Sequence, residues 1–176
     1  KEAAEAALRA LPEGVRVILD VSPVIGIPDG LPPTTLISMS TSEAAILWRD
    51  ADRKAIDVRS WLPAEDAPIA MATLLRRDVV VRAGKDGAYF TRYTDSAKLS
   101  STYIPSLSVE AIDTNGAGDA HTGVLAASLA QGTSMERALV LANCAGALAS
   151  TTVGPATCPP RTQIKAAADA LAEQED

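Results

Sequence analysis

Residues 111–123 read AIDTNGAGDAHTG, a stretch that places Gly116, Gly118 and Gly123 among the carboxylates Asp113 and Asp119. Glycine lets a backbone and an incoming group approach closely. The apolar run TGVLAASLA follows at once, so the glycines stand at a helix start. The first amides of a helix have no intrahelical partner and point outward, where the oxygens of a phosphoryl group can accept their hydrogen bonds. Gly116, Ala117 and Gly118 are therefore candidates for an anion hole, and Asp119, in the first turn, would touch whatever attacks that phosphoryl group. Phosphoryl transfer asks little covalent work of a protein; it needs alignment and neutralisation of oxygen charge. Amides held ready for that task contribute on the order of 10²-fold or more in rate each. The plain structural alternative is that Asp113 and Asp119 only cap and favour the helix, a contribution of roughly 1 kcal/mol.

Two other phosphate-binding patterns fail on their spacing. A dinucleotide fingerprint would use Gly116 and Gly118, but its third glycine falls on His121, and the close helix–strand approach is lost. A Walker loop would use Gly84-Lys85, yet the earlier glycine it requires is Val79 and the hydroxyl residue after the lysine is Asp86.

The elements that must position the glycine stretch alternate in type. Helical spacing over 3–11 ends at Pro12-Glu13-Gly14, and VRVILDV (15–21) reads as a short buried strand. After the loop PVIGIPDGLPP comes a second strand, TTLISM (34–39), and Ser42 is expected to cap a helix from about Glu43 to Arg49. Residues 50–76 read as mostly helical, broken by Pro63 and Pro68. DVVVRAG (78–84) is a strand, GKDG turns it back into AYFTRY as a hairpin, and STYIP and SVEAI read as short strands. Helices are expected over 118–131, 134–151 and 161–174. Strands alternating with helices imply an α/β layered sheet, with the hairpin adding antiparallel character.

Composition narrows the partners. The chain has 176 residues, 47% hydrophobic and 22% charged, but only 3% aromatic, which fits small, tightly packed helices. A net charge of −6 without a basic stripe argues against nucleic acid, though not against a nucleotide held in one local pocket. No apolar run approaches the roughly 18 residues of a membrane span, so no membrane partner is expected. No charged-then-apolar leader is visible, so a cytoplasmic location is expected. Cys144 and Cys158 stand outside any metal-ligand spacing and are expected to be two buried thiols. The chain opens at Lys1, without methionine and inside a helical pattern, as the middle of a longer protein would.

DTNGAGDAHTG resembles the second signature of the ribokinase-like sugar kinases, the PfkB carbohydrate kinase family. The similarity extends over most of the chain in the family's order. VILDVSP resembles its strand ending in Asp-x-x-Pro, ISMSTSEAAIL its Asn-x-x-Glu segment, VVVRAGKDGAYF its nucleotide-contacting strand and turn, and ANCAGALASTTVGPATCPP its final helix and adenine-side loop. The resemblance implies a three-layer α/β/α sandwich whose sheet is mostly parallel with one antiparallel hairpin. It implies ATP and Mg²⁺, a small sugar substrate, and a K⁺ site. Asp119 would be the base that receives the sugar hydroxyl's proton, beside the anion hole of Gly116, Ala117 and Gly118. Ser40, Arg82, Ala83, Gly84, Lys85, Asp86 and Gly87 would line the nucleotide, and Asn143 would sit beside the adenine. Glu43 would organise magnesium through water. Asp113, the carbonyls of Asn115, Ala149, Thr152 and Gly154, and the position of Cys158 match the family's monovalent-cation site.

Three positions depart from the family pattern: Ser40 stands for its asparagine, His121 for a common phenylalanine, and Cys158 for a smaller hydroxyl residue. On the resemblance, residues 1–176 are the C-terminal, nucleotide-binding and catalytic portion of a single domain. The N-terminal part, with the first signature, most sugar contacts and the lid, would precede Lys1. Two functions stay open: a portion of an ATP-dependent sugar kinase, inactive by itself, or a nucleotide-binding or interaction module without turnover. A truncated sheet would expose a strand edge and apolar surface, so the chain is expected to self-associate, for instance as a homodimer, or to require its other half.

Overall fold

A computed structural model describes residues 1–24, 26–52, 65–95 and 98–173. Helix α1 (Glu2–Arg9) precedes strands β1 (Ile18–Asp20) and β2 (Leu36–Ser40), and β2 runs directly into α2 (Thr41–Asp52). Helix α3 (Ala67–Leu75) leads to β3 (Asp78–Arg82), a single 3₁₀ turn (Gly84–Asp86), β4 (Ala88–Thr91) and β5 (Ser101–Ile104). Three helices complete the chain: α4 (Ala117–Ala130), α5 (Met135–Ala149) and α6 (Arg161–Ala172). The chain divides into two compact units, one of residues 1–82 with 89–102 and one of 83–88 with 103–176.

The strands lie in the order β1-β2-β3-β4-β5. β1 with β2 and β2 with β3 pair in parallel. Only residues 83–87 join β3 to its neighbour β4, too few for the crossover that parallel strands require, so this pair is a hairpin and the sheet is mixed. The α/β class and the mixed sheet follow the expectation from sequence.

In the first unit, β2 and β3 are buried over nearly their whole length, as strands covered on both faces must be. Successive side chains leave a strand on opposite faces. Ile37, Met39, Val79 and Val81 share one face and join Ala44, Leu47, Met71 and Ala72 in the core. The register sets Asp20 opposite Ser38, and Ser40 opposite Arg82, so these four side chains share the other face. They gather at the C-terminal ends of three parallel strands, where open α/β sheets bind their ligands.

In the second unit, α5 lies between α4 and α6. Gly146 of α5 runs so near α4 that an added Cβ would come 3.0 Å from the Ala117 carbonyl oxygen. On its other side Cys144 and Ala145 pack with Ile164 and Ala168 of α6. Small residues allow this spacing, in keeping with the chain's scarcity of aromatics. Ser134 starts α5 by accepting the Arg137 amide at 3.3 Å.

Four local expectations are corrected. Helix α2 begins at Thr41, two residues earlier than Glu43, and its cap is Ser40, not Ser42: the Ser40 hydroxyl accepts the Glu43 amide at 3.2 Å while the Glu43 carboxylate accepts the Ser40 amide at 2.6 Å. That reciprocal pair is a capping box, and Ser-Thr-Ser-Glu carries its spacing. Pro68 sits in the first turn of α3 and starts that helix, because the missing N–H has no partner to lose there; Pro63 and the expected helix over 53–64 lie outside the described residues. The stretch SVEAI forms no strand, and the chain from 105 to 113 is irregular. Cys158 is exposed; only Cys144 is buried.

Candidate functional site

The glycine stretch folds as a tight turn feeding α4. Gly116 takes a left-handed φ of +77° just before the first helical residue, and a Cβ there would lie 2.0 Å from the Pro155 carbonyl oxygen. Backbone crowding, as well as the turn, requires glycine here. The Ala117 amide donates to the Thr114 carbonyl at 3.2 Å, closing the turn, and the Gly116 carbonyl accepts the Ala120 amide at 2.9 Å. Among the described residues the amides of Gly116, Gly118 and Asp119 have no hydrogen-bond partner. The unpartnered amides therefore differ by one from the set expected to bind an anion: Ala117 is committed to the turn, and the Asp119 amide stands without a partner among the described residues. The Asp119 side chain is exposed in the first turn of α4.

Asp113 ties this turn to the segment after α5. Its Oδ1 accepts the Asn115 amide at 3.0 Å and its Oδ2 the Gly154 amide at 2.9 Å. These bonds, the Asn115 amide first and that of Gly154 second, hold the Asp113 carboxyl below its ordinary pKa, because they are lost when it is protonated. The amides of Ile112 and Asp113 both donate to the Ser150 carbonyl, at 2.8 and 3.0 Å. Thr157 Oγ1 lies 2.9 Å from the Ala149 carbonyl oxygen and 3.3 Å from that of Gly154. Of the expected cation-site residues, the structure thus brings Asp113, Asn115, Ala149 and Gly154 into one hydrogen-bonded knot. Thr152 joins it through its amide, 3.4 Å from the Ala149 oxygen. Cys158 does not: its exposed Sγ faces the carbonyl of its own neighbour Pro159 at 3.8 Å. Thr157, which sequence reasoning passed over, takes the place nearest these carbonyls.

Asn143, expected beside the adenine, is held by contacts within the protein. It is buried, its Nδ2 donates to the carbonyls of Ile104 and Pro105 at 3.1 and 2.8 Å, and its Oδ1 faces His121 Nε2 at 3.1 Å. Its polar atoms fasten α5 to the end of β5 and to α4. His121 is buried as its partner, a packing role. Between Arg82 and β4, Gly84, Lys85 and Asp86 are exposed and Ala83 half-buried, with the Ala83 amide closing on the Gly87 carbonyl at 2.8 Å. Gly87 itself is buried; a Cβ on it would lie 2.3 Å from the Ile104 carbonyl oxygen.

In the first unit a second cluster forms around Arg82. Its Nη1 donates to Asp20 Oδ2 at 2.5 Å and to Ser38 Oγ at 3.0 Å. Its Nη2 donates to Asp20 Oδ1 at 3.2 Å and reaches Glu43 Oε2 at 3.5 Å. The side chains of Arg82, Glu43 and Asp20 are 12%, 15% and 23% exposed, so water screens them only in part. The guanidinium expected to line a nucleotide is therefore engaged by two carboxylates. Asp20 was not among the expected site residues, although VILDVSP marks it as the aspartate of an Asp-x-x-Pro strand end. Among the described residues no group of three histidine, cysteine, aspartate or glutamate side chains is arranged to hold a metal. A divalent ion at Glu43 would have to draw most of its ligands from phosphate and water, which is the habit of magnesium.

Known proteins are similar to this chain in sequence and in fold. The chain is 32% identical over 154 residues to an Escherichia coli protein described as an uncharacterized sugar kinase, YegV, an alignment covering 81% of this chain and 41% of that one. Its fold matches ribokinase from Thermotoga maritima with a TM-score of 0.73 at 23% identity, over 96% of this chain and 53% of that one. A putative ribokinase II from E. coli, solved with ATP and Mg²⁺, matches with a TM-score of 0.58 at 27% identity, over 77% of this chain and 39% of that one. The chain thus spans about half, or less, of the length of these relatives. The model of the pfkB family carbohydrate kinases matches residues 1–162, nearly the whole of the ordered architecture described above, and the chain belongs to that family.

Proposed function

We propose that this chain is the C-terminal, nucleotide-binding and catalytic portion of an ATP-dependent kinase that phosphorylates a hydroxyl of a sugar or sugar-like molecule. The observation that carries the proposal is the mouth of α4. Uncommitted amides at Gly116, Gly118 and Asp119 stand beside an exposed carboxylate that has no partner among the described residues. The amides supply fixed partial positive charge for the oxygens of the phosphoryl group in transfer. The Asp119 carboxylate accepts the proton of the acceptor hydroxyl as the new P–O bond forms and the bond to ADP breaks. Family membership supports ATP as donor, and the relatives' descriptions support a sugar as acceptor.

The residues fit the two cations that the family implies. Magnesium, when bound, neutralises charge on the phosphate oxygens. Glu43 would hold its water through Oε1, which has no partner among the described residues, while Oε2 is fixed by the Ser40 amide. Potassium would be held by carbonyl oxygens of the knot around Asp113, those of Ala149 and Gly154 first, and not by the soft, outlying sulfur of Cys158. A cytoplasmic location and a homodimer belong to the same proposal.

The test is Asp119→Asn in the protein carrying this chain, assayed by ADP release across a panel of sugars. Turnover should fall by roughly 10² to 10⁴, the usual contribution of such a base. ATP affinity should be kept. Unchanged turnover removes Asp119 from the role, and ATP binding without ADP release on any sugar, in the unmutated protein, supports a nucleotide-binding module instead.

A further inference from the structure

We propose that Arg82 is a resident cation: it occupies the ground between Asp20 and Glu43 that a divalent ion would otherwise take, so that the ion enters only together with nucleotide phosphate. The inference rests on the kinase reading for its biological sense, but its geometry is independent of it. Arg82 Nη2 lies 3.2 Å from Asp20 Oδ1 and 3.5 Å from Glu43 Oε2, so a single guanidinium nitrogen serves both carboxylates. Nη1 completes the fork on Asp20 Oδ2 at 2.5 Å and is steadied by Ser38 Oγ at 3.0 Å. A planar fork matches a carboxylate in a way that no ammonium does, and it cannot be titrated away.

The cluster carries two negative charges and one positive. Counting Asp20, Glu43 and Arg82 alone among the described residues, a bare divalent ion would meet a net charge of only −1, with a like charge between the two carboxylates. Glu43 is meanwhile pinned from two sides, by Arg82 and by the Ser40 amide at 2.6 Å. Its Oε1 is the one oxygen of the pair still open toward a metal-bound water. The affinity missing from such a site is what phosphate oxygens supply, since magnesium is ordinarily bound by one or two carboxylates plus substrate phosphates. Arg82 is thus a positioning residue that sets the Glu43 carboxylate and enforces the order of loading.

The test uses Mn²⁺ as a paramagnetic probe, read by electron paramagnetic resonance, on the protein without nucleotide. The unmutated protein should bind Mn²⁺ no more tightly than millimolar, and addition of ATP should bring the ion onto the protein. Arg82→Gln should bind Mn²⁺ about tenfold or more tightly without nucleotide, because two like charges are left facing each other. The gain should vanish in Arg82→Gln with Asp20→Asn, and Arg82→Lys should keep the exclusion through its charge. Submillimolar Mn²⁺ binding by the unmutated protein overturns the proposal, even if Arg82→Gln fails to fold. So does an Arg82→Gln protein, folded by circular dichroism, that gains no affinity. Absence of sugar phosphorylation with the Mn²⁺ pattern intact would instead count against the kinase reading alone.

Discussion

Replacing Gly116 by alanine should be among the most costly single-methyl changes in the chain, and the structure allows its cost to be divided. The left-handed conformation, φ +77°, costs an alanine about 1–2 kcal/mol. The new Cβ would also stand 2.0 Å from the Pro155 carbonyl oxygen and 2.7 Å from its carbon, where ordinary contact begins at 3.4 Å. Backbone cannot swing aside as a side chain can, so the turn or the 154–157 segment must move by more than an ångström. Overpacking of this kind costs about 1–3 kcal/mol. The sum is about 2–5 kcal/mol, a large share of the 5–15 kcal/mol that holds a typical domain.

Two other glycines provide the controls. Gly132 has φ +80° with nothing within 4 Å of its Cβ position, so Gly132→Ala should show the left-handed term alone, about 1–2 kcal/mol. Gly123 lies inside α4 in open space, and Gly123→Ala should be neutral or stabilise by up to about 1 kcal/mol. Urea unfolding monitored by circular dichroism measures all three, and the difference between Gly116→Ala and Gly132→Ala isolates the contact with Pro155. If those two variants lose equal stability, the close approach of the 155 carbonyl is not a constraint, and the account of why glycine opens α4 is wrong.

Other expectations test separate parts of the structure. Asp113, with its pKa held below the ordinary 3.8, contributes stability that is complete above that value and is lost as pH falls through the lowered one; Asp113→Asn should therefore flatten the acid limb of the stability curve. Burial pushes the Cys144 thiol up to about 11, against an ordinary 9.0, with the Arg137 charge opposing. Stability should accordingly fall as pH rises from 9 toward 11, less steeply in Cys144→Ala. One thiol, Cys158, should react with a disulfide reagent in the native protein and two after unfolding. Ser40→Ala should cost roughly 0.5–2 kcal/mol through loss of the α2 cap, measured by the same urea titration.

How much of this was legible in sequence depended on how local each cause was. The buried runs of β2 and β3, the hairpin at Gly84–Asp86 and the three last helices carry their own periodicity and turn residues, and they fold where that pattern places them. The capping box of Ser40 and Glu43 has an equally local spacing, but Ser42 competes for the cap and only the folded geometry decides between them. SVEAI alternates like a strand yet finds no ladder; pairing is a tertiary matter that a segment cannot announce. The mouth of α4 was readable because amide exposure at a helix start is a property of the backbone. The partners of long side chains were not. Arg82 reaches across β2 to Asp20, sixty-two residues away, and Asn143 to carbonyls near residue 104, contacts that no local pattern announces.

Those commitments determine which substitution can separate chemistry from architecture. Gly116, Asp113, Asn143 and Arg82 each serve a contact whose loss alters the fold, so a fall in activity after changing any of them has two explanations. Asp119 differs. Its carboxylate is exposed, meets no partner among the described residues, and contributes to stability only as an acid in the first turn of a helix, about 0.3–1 kcal/mol. Asp119→Asn keeps the shape and the amide behind it, so unfolding should shift by no more than that while turnover drops by orders of magnitude. Natural folds tolerate a charged group with no structural partner anywhere on their surface; one placed between uncommitted amides at a glycine turn has a reason only if something else brings the proton and the phosphate. A stability loss in Asp119→Asn comparable to that of Gly116→Ala would show that the carboxylate belongs to the scaffold after all, and the case for it as a base would fall with that result.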